Sequence, residues 1–484
     1  MTTNKSTIGY ILNGRISKKR SINVSTKMLG RYLFNLDFNL YPMEKIDFTE
    51  MDITKAIRYI ALPSVVGMLF RTMYNLVDMF WIGKLGYQHI AAVGIFGIFF
   101  EFAIVFNEVV GVGSVALIAR HYGAKNYQRV NEVVKQTLSL KLFVAFIFCF
   151  TGMFFIKYIL IGLGAQNEVI VYGIQYGRVM SIGFIFMLSS ATLFTAMRGV
   201  GDAKTPMKIM IVSNVVNMIL DPIFIFTLNF GITGAAVATV LSQMLTFTIG
   251  LFLITTGRHV VEITTRIELD FRTMKNILFI GIPSGVEMLI RNVTNMIAIR
   301  IIAGFGMTVL AGFQIFFRLL GVAWMPLFGL TLACGTLVGH NLGAEKPKKA
   351  EKTALKSGYI GTVTMVGVAT AFFVFSHQLV SFFNATEEVV QAGVSSFRII
   401  SPFLVFFGFY LPLSGAFFGS GDTKPPMVIT FIAHFCFQIP LMVALSQPVG
   451  VNGVFFAVGV ALFVGFFITV VWFFKGKWKH KKLE

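Results

Sequence analysis

Five carboxylates fall inside long apolar stretches: Asp78, Glu101, Glu108, Asp221 and Glu287. An ionisable group there is costly and marks a functional position by default. Asp78 and Asp221 each lie about six residues before the turn that ends their stretch. Asn214, Asn217 and Asp221 are spaced i, i+3 and i+7, which puts them on one helix face, and Asn75 precedes Asp78 by three. Pro222 cannot donate a backbone hydrogen bond, so the Met218 carbonyl is freed within a turn of Asp221. Such an oxygen-rich cluster suits a hard cation such as Na⁺. Two acids in low dielectric equally favour one shared proton. The inert alternative is an ion pair between Asp78 and Arg71, seven residues apart on one face. Glu287, followed by Arg291 and Asn295 at i+4 and i+8, is either a second ion site or a structural pair. Glu101 and Glu108 share a face and are expected either to line a cavity or to pair with Arg71.

The elements that position these groups follow from hydropathy. The chain has 484 residues, 56% hydrophobic and 13% charged, with mean hydropathy +0.76. Twelve apolar runs, from 58–82 to 450–474, are long enough to cross a hydrocarbon core of about 30 Å. In lipid each must be a helix. The net charge of +19 is not a nucleic-acid footprint, because it is distributed by loop. With the N-terminus in the cytoplasm, alternate loops collect 17 Lys and Arg. The first 50 residues add 8 and the last ten add 5, while the opposite side holds only Lys84. That bias places both termini in the cytoplasm. Cys149, Cys334 and Cys436 lie in apolar runs, and the seven histidines form no close pair, so neither a disulfide framework nor a zinc or haem site is expected. No cleavable signal peptide is expected in the basic N-terminal segment.

The chain repeats itself. GVGDAKTPM at 199–207 returns as GSGDTKPPM at 419–427, an offset of 220. Pro63-Ser64 and Pro283-Ser284, Arg71 and Arg291, Asn75 and Asn295, and Gly123-Ala124 and Gly343-Ala344 keep the same offset. The predicted fold is therefore an all-α polytopic membrane protein of two six-helix bundles, related by a pseudo-twofold axis along the membrane normal. The expected parts are a basic cytoplasmic extension (1–54), an N-lobe (55–256), a cytoplasmic linker (257–276), a C-lobe (277–474) and a basic tail (475–484). The duplicated loop reads as a turn between the fourth and fifth helix of each half, with its aspartate capping the next helix. Parallel repeats of this kind place a substrate site between the halves and rock about it.

At these residues the sequence resembles the multidrug and toxic compound extrusion (MATE) transporters, prokaryotic branch. The resemblance rests on RGVGDAKTPM (198–207) and its second copy, LPSVVGMLFRTMYNLVDMFWIGKLG (62–86) and GIPSGVEMLI (281–290), and runs from about residue 55 to 474. It implies an N-lobe cation site at Asp78, Asn217, Asp221 and Thr239, and a helix 1 that bends at Pro63. It also implies efflux driven by exchange for H⁺ or Na⁺. A fourth-helix amide of the family is missing, the stretch here being Leu188-Ser189-Ser190-Ala191-Thr192. At the 220 offset Asp78 becomes Ala298 and Asp221 becomes Leu441, so the cation site is expected in the N-lobe alone.

The 53 Phe and 23 Met suit a broad cavity for amphiphilic cations. Met180, Met288, Phe313 and Gln314 are its candidate lining. The expected partners are the lipid bilayer and small amphiphilic substrates, with no cofactor and no nucleic acid. A monomer in the plasma (cell inner) membrane is expected. A lipid or polysaccharide-precursor flippase of a related fold is the alternative, and it would want a more basic cavity. No nucleophile–base constellation points to an enzyme, and GVGDAKT fails the phosphate-loop pattern, because its lysine does not follow the second glycine.

Overall fold

A computed structural model describes residues 46–262, 269–383 and 386–483. Most of the basic extension assigned to 1–54 thus lies outside the described residues, as does Arg266 of the linker. Twelve helices among the described residues are long and apolar enough to cross a membrane. They are α1 Ile53–Gly83, α2 Tyr87–Gly123, α3 Tyr127–Gly162, α4 Glu168–Gly199, α5 Lys204–Thr227 and α6 Gly231–Thr255 in one half. In the other they are α7 Phe271–Ala303, α8 Met307–Gly343, α9 Pro347–Val374, α10 Glu387–Ser420, α11 Lys424–Ser446 and α12 Val451–Phe474. Each predicted apolar run lies largely within one helix, although the run 357–381 passes the end of α9 at Val374 into a separate short helix, Ser376–Phe383, and many helices outrun their run. The ends of α2 and α3 that carry Arg120 and Arg129 are polar, and hydropathy is blind to helix there.

One main apolar core lies within the N-lobe, and a second joins the C-lobe helices to Ile57, Ile60 and Ala61 of α1. Phe96, Phe99 and Phe184 centre the first, and Phe316, Phe397 and Phe455 the second. Among the described residues, close backbone contacts between the lobes gather toward one end. A Cβ on Gly113 would strike the Ile277 carbonyl, and one on Gly281 the Val109 carbonyl. The same holds for Gly123 against His340 and Gly343 against Arg120. Only glycine lets backbones approach this closely. These contacts join the ends of α2 and α8 to each other and the start of α7 to α2. The second half of α8, Met325–Gly343, packs on α1 and α2 as well as on α9 and α10 of its own lobe, whereas its first half, Met307–Ala323, packs on α10 and, more lightly, α7. The cleft is therefore closed on the face carrying the basic loops and open on the other. That other face also bears exposed Lys157 and Arg300, which the loop count, with Lys84 alone, passed over.

The duplicated turn is built alike twice and covered differently. Its second glycine takes the left-handed conformation in both copies, φ +90° at Gly201 and +75° at Gly421. The first glycine serves helix packing instead, Gly199 against Ile118 and Gly419 against Gly335. In the N-lobe, Asp202 Oδ1 accepts from the Lys204 and Thr205 amides, both at 3.0 Å, as a helix cap. Its Oδ2 lies 3.3 Å from His259 Nε2 of the linker, and the Phe48 ring covers Gly201. Residues 46–52 of the extension are thus docked on the helices. In the C-lobe the tail does this work. Leu483 covers Gly421, and Lys481 lies 3.6 Å from Asp422, which does not cap α11.

Burial opposes the Asp202 carboxylate, but the His259 and Thr205 contacts outweigh it and hold its pKa below the ordinary 3.8. A carboxylate with a lower pKa folded than unfolded stabilises the fold above the unfolded value, and that contribution disappears as pH falls through the folded one. Asp202→Ala is expected to cost about 1–2 kcal/mol at pH 7 through the lost cap. In thermal unfolding, its gap from the parent should narrow below pH 3.8. A gap independent of pH would show that charge at Asp202 does not matter.

Candidate functional site

The N-lobe brings four of the predicted residues together. Asp221 and Asn217 on α5 are fully buried, Asp78 on α1 is 8% exposed, and Thr239 on α6 is buried beside them. With its amide oriented to satisfy both neighbours, Asn217 donates to Asp221 Oδ2 at 3.1 Å and accepts from the Thr239 amide at 3.3 Å. Asp78 and Asp221 lie within electrostatic range of each other. Asp78 Oδ1 is buried without a hydrogen-bond partner. No ion pair joins Asp78 to Arg71 among the described residues, and Arg71 points into the cavity instead. α5 changes to a π-helical turn at Ile223–Thr227, next to Pro222 and the Asp221 carboxylate.

Two further residues enclose this pair. Tyr74 lies one turn before Asp78, and its hydroxyl meets Thr239 Oγ1 at 3.4 Å. Tyr176 of α4 is buried within range of both carboxylates. The i, i+4 spacing of Tyr74 and Asp78 was legible, but nothing in the sequence pointed to Tyr176. In the α4 stretch that lacks the amide, the hydroxyl protons are turned to the helix backbone. Ser189, Ser190 and Thr192 donate to carbonyls of their own helix at 2.6, 2.9 and 3.1 Å.

In front of this layer lies a cavity of about 520 Å³. Tyr74 and Thr239 form part of its wall, so the hydroxyl pair separates the cavity from the carboxylates behind. Asn75 and Asn214 line this cavity. They therefore face the cleft rather than the carboxylate pair, although Asn75 and Asn214 were grouped with it by spacing. Met180, Met288 and Glu101 also line it, whereas Phe313 and Gln314 do not. Phe313 is 3% exposed in the C-lobe core and stacks on Phe455 at 5.7 Å. Gln314, its neighbour on α8, is half-buried away from the cavity.

The cavity is less acidic than its sequence suggested. Arg71 and Arg198 both line it, and neither forms an ion pair with a described carboxylate. Lys141 of α3, absent from the sequence reading, is fully buried and donates to Asn107 Oδ1 at 2.8 Å. Glu108 lies in electrostatic range of Lys141 and Arg198 in its own lobe and of Glu287 and Arg291 across the cleft. In the C-lobe, Arg291 meets Glu287 Oε1 at 2.8 Å, and Thr430 donates to the same oxygen at 3.2 Å. Asn295, a turn further along α7, is half-buried. Pro63 lies within α1, which runs unbroken.

Two six-helix lobes around a one-sided cleft, with buried carboxylates beside a cavity, define a polytopic membrane transporter. The MatE family pattern matches residues 63–223 and 283–443, again 220 apart. The chain belongs to the MatE family. It is 27% identical to the probable multidrug resistance protein YoeA of Bacillus subtilis, over 87% of this chain and 93% of that one. It is 24% identical to the probable multidrug resistance protein NorM of Thermotoga maritima, over 93% and 97%. A MOP superfamily transporter from Pyrococcus furiosus, described as having a binding pocket of reversed polarity, superposes with a TM-score of 0.84. It shares 26% identity, over 91% of this chain and 100% of that one.

Proposed function

We propose that this chain is a secondary active multidrug efflux antiporter that exchanges H⁺ or Na⁺ for amphiphilic organic cations. The observation that carries this reading is the pair Asp78 and Asp221, buried behind the hydroxyls of Tyr74 and Thr239 with no ion pair to either among the described residues. A proton bound there neutralises one acid. A Na⁺ would find oxygens from Asp78, Asp221, Asn217 and Thr239, the donor type a hard cation prefers. Pro63 removes one hydrogen bond from α1 and so supplies a bend point on the helix that carries Asp78. Binding then biases the packing of α1 against α5 and α6, and with it the lobes, 55–256 and 277–474, that flank the cleft. Glu101 and the methionine wall offer an amphiphilic cation a counter-charge and a pliable surface. By the positive-inside rule the basic face is cytoplasmic, as are both termini, and the cleft opens outward. The reading places a monomer in the plasma membrane.

Arg71 and Arg198 favour a second reading, a flippase for anionic amphiphiles. Transport in proteoliposomes under imposed pH or Na⁺ gradients separates the two. Efflux of a fluorescent organic cation that follows neither gradient would sink the antiport reading.

Glu287 is read as a structural partner of Arg291. Glu287→Gln is expected to lower the unfolding midpoint, because the buried end of the Arg291–Glu287 pair loses its charge, while gradient-driven efflux persists. Loss of efflux at an unchanged midpoint would instead make Glu287 an ion site.

A further inference from the structure

The second copy of the duplicated turn borders a cavity that the transport cycle above does not use. It has about 280 Å³ and lies between the start of α7, the α10–α11 turn and the C-terminal tail. Arg272, Lys424, Lys481 and Lys482 line it, against one carboxylate, Asp422. Asp422 is already engaged by Lys481, so Arg272, Lys424 and Lys482 have no described carboxylate partner. Arg272, Lys424 and Lys482 are exposed, so they form a solvent-facing positive patch that attracts an anion.

The cavity is held in shape from three sides. Thr423 Oγ1 donates to the Ile280 carbonyl of α7. Leu483 seats on Gly421. Arg120 Nη1, at the end of α2 in the other lobe, donates to the Lys481 carbonyl at 2.6 Å. The tail is therefore a strap that joins the lobes across the closed face. At the N-lobe copy, His259 lies against Asp202 and Phe48 against Gly201 instead.

The surroundings indicate the source of the anion. Phe279 forms part of the wall, is 62% exposed, and has the Lys424 ammonium over its ring at 5.5 Å. Ile282, one turn further into the span, is 52% exposed. A basic cavity thus opens beside an apolar helix face near the start of a membrane span, a combination that matches a molecule with a phosphate head and acyl tails. Basic pockets between spans on the positive face bind anionic headgroups in this way.

We propose that this cavity binds the phosphodiester headgroup of an anionic membrane lipid, and that the bound lipid fastens the strap and favours closure of the basic face. The test is native mass spectrometry of the full chain with phosphatidylglycerol, phosphatidylcholine or inorganic phosphate. Phosphatidylglycerol should be retained in preference to phosphatidylcholine. In the R272Q/K424Q variant its affinity should fall about fivefold for each cation removed. K348Q/K352Q, which removes exposed lysines of α9 away from the cavity, should bind as the parent does. Equal retention of the two lipids, or equal losses in both variants, would overturn the proposal. Displacement of the lipid by equimolar inorganic phosphate would overturn the lipid assignment in favour of a free anion. For closure, spin labels at Lys125 and Lys348 should report a shorter distance when phosphatidylglycerol is added to the parent and no change in R272Q/K424Q. An unchanged distance in the parent would refute the fastening role. The binding readout does not involve transport, so failure of the antiport reading would leave it standing.

Discussion

Asp78→Asn in proteoliposomes should abolish gradient-driven efflux while the protein folds and inserts as before. The carboxylate makes no ion pair and Oδ1 has no hydrogen-bond partner, so the isosteric amide removes charge without breaking a contact. Losing an unpaired buried charge should leave the unfolding midpoint unchanged or raise it. Its effect on transport is large for a different reason. A ligand shifts a two-state equilibrium only by its differential affinity for the two states, and carrying it from 1:99 to 99:1 takes about 10⁴-fold. A site left with one acid has lost the charge that attracts the ion and the repulsion that makes its binding state-dependent. Asp221→Asn should behave alike, and the double variant no worse than either single one. Efflux that still tracks the imposed gradient in Asp78→Asn would refute the assignment of the site.

Gly281→Ala should shift the lobes away from the arrangement seen here. Alanine is the better helix former, so α7 itself should gain slightly. Yet the added methyl meets the Val109 carbonyl, a backbone atom that cannot turn aside. Overpacking of this kind costs about 1–3 kcal/mol. The cost falls on the state with the basic face closed, where α2 and α7 are in contact, and is relieved when that face opens. A differential of this size changes the ratio of states by roughly 5–150-fold. Spin labels at Lys125 and Lys348, in a background lacking Cys149, Cys334 and Cys436, should report a longer distance across that face. A distance distribution identical to the parent's, in folded protein, would show that the close approach does not hold the lobes.

Much of the site was legible because charge in an apolar run is conspicuous. Asp78, Asn217 and Asp221 stand out against their spans, and at the 220 offset none of the three has a counterpart in the second half. Phe313 was misplaced for the converse reason. Lipid-facing, core-facing and cavity-facing side chains of a membrane helix are all apolar, so hydropathy does not distinguish them. Asn75 and Asn214 were grouped with the acids because helical spacing defines a face but not how far around the helix a neighbour reaches. Tyr176 and Lys141 escaped notice because their meaning comes from partners on other helices, Asp78 and Asp221 for one and Asn107 for the other.

Spans, repeat and orientation bias are consequences of local composition: a run of apolar residues must become a helix in lipid whatever its neighbours, and a repeat is visible as identity. Which face the cleft opens on, which polar groups share a wall, and which turn is plugged by Phe48 and His259 and which is bordered by a cationic cavity are decided between segments hundreds of residues apart. Such contacts depend on the packing of whole helices, where a glycine admits a carbonyl or a tail folds back. The two copies of the turn share six of nine residues, yet their surroundings make one a sealed brace and the other the edge of a cationic pocket.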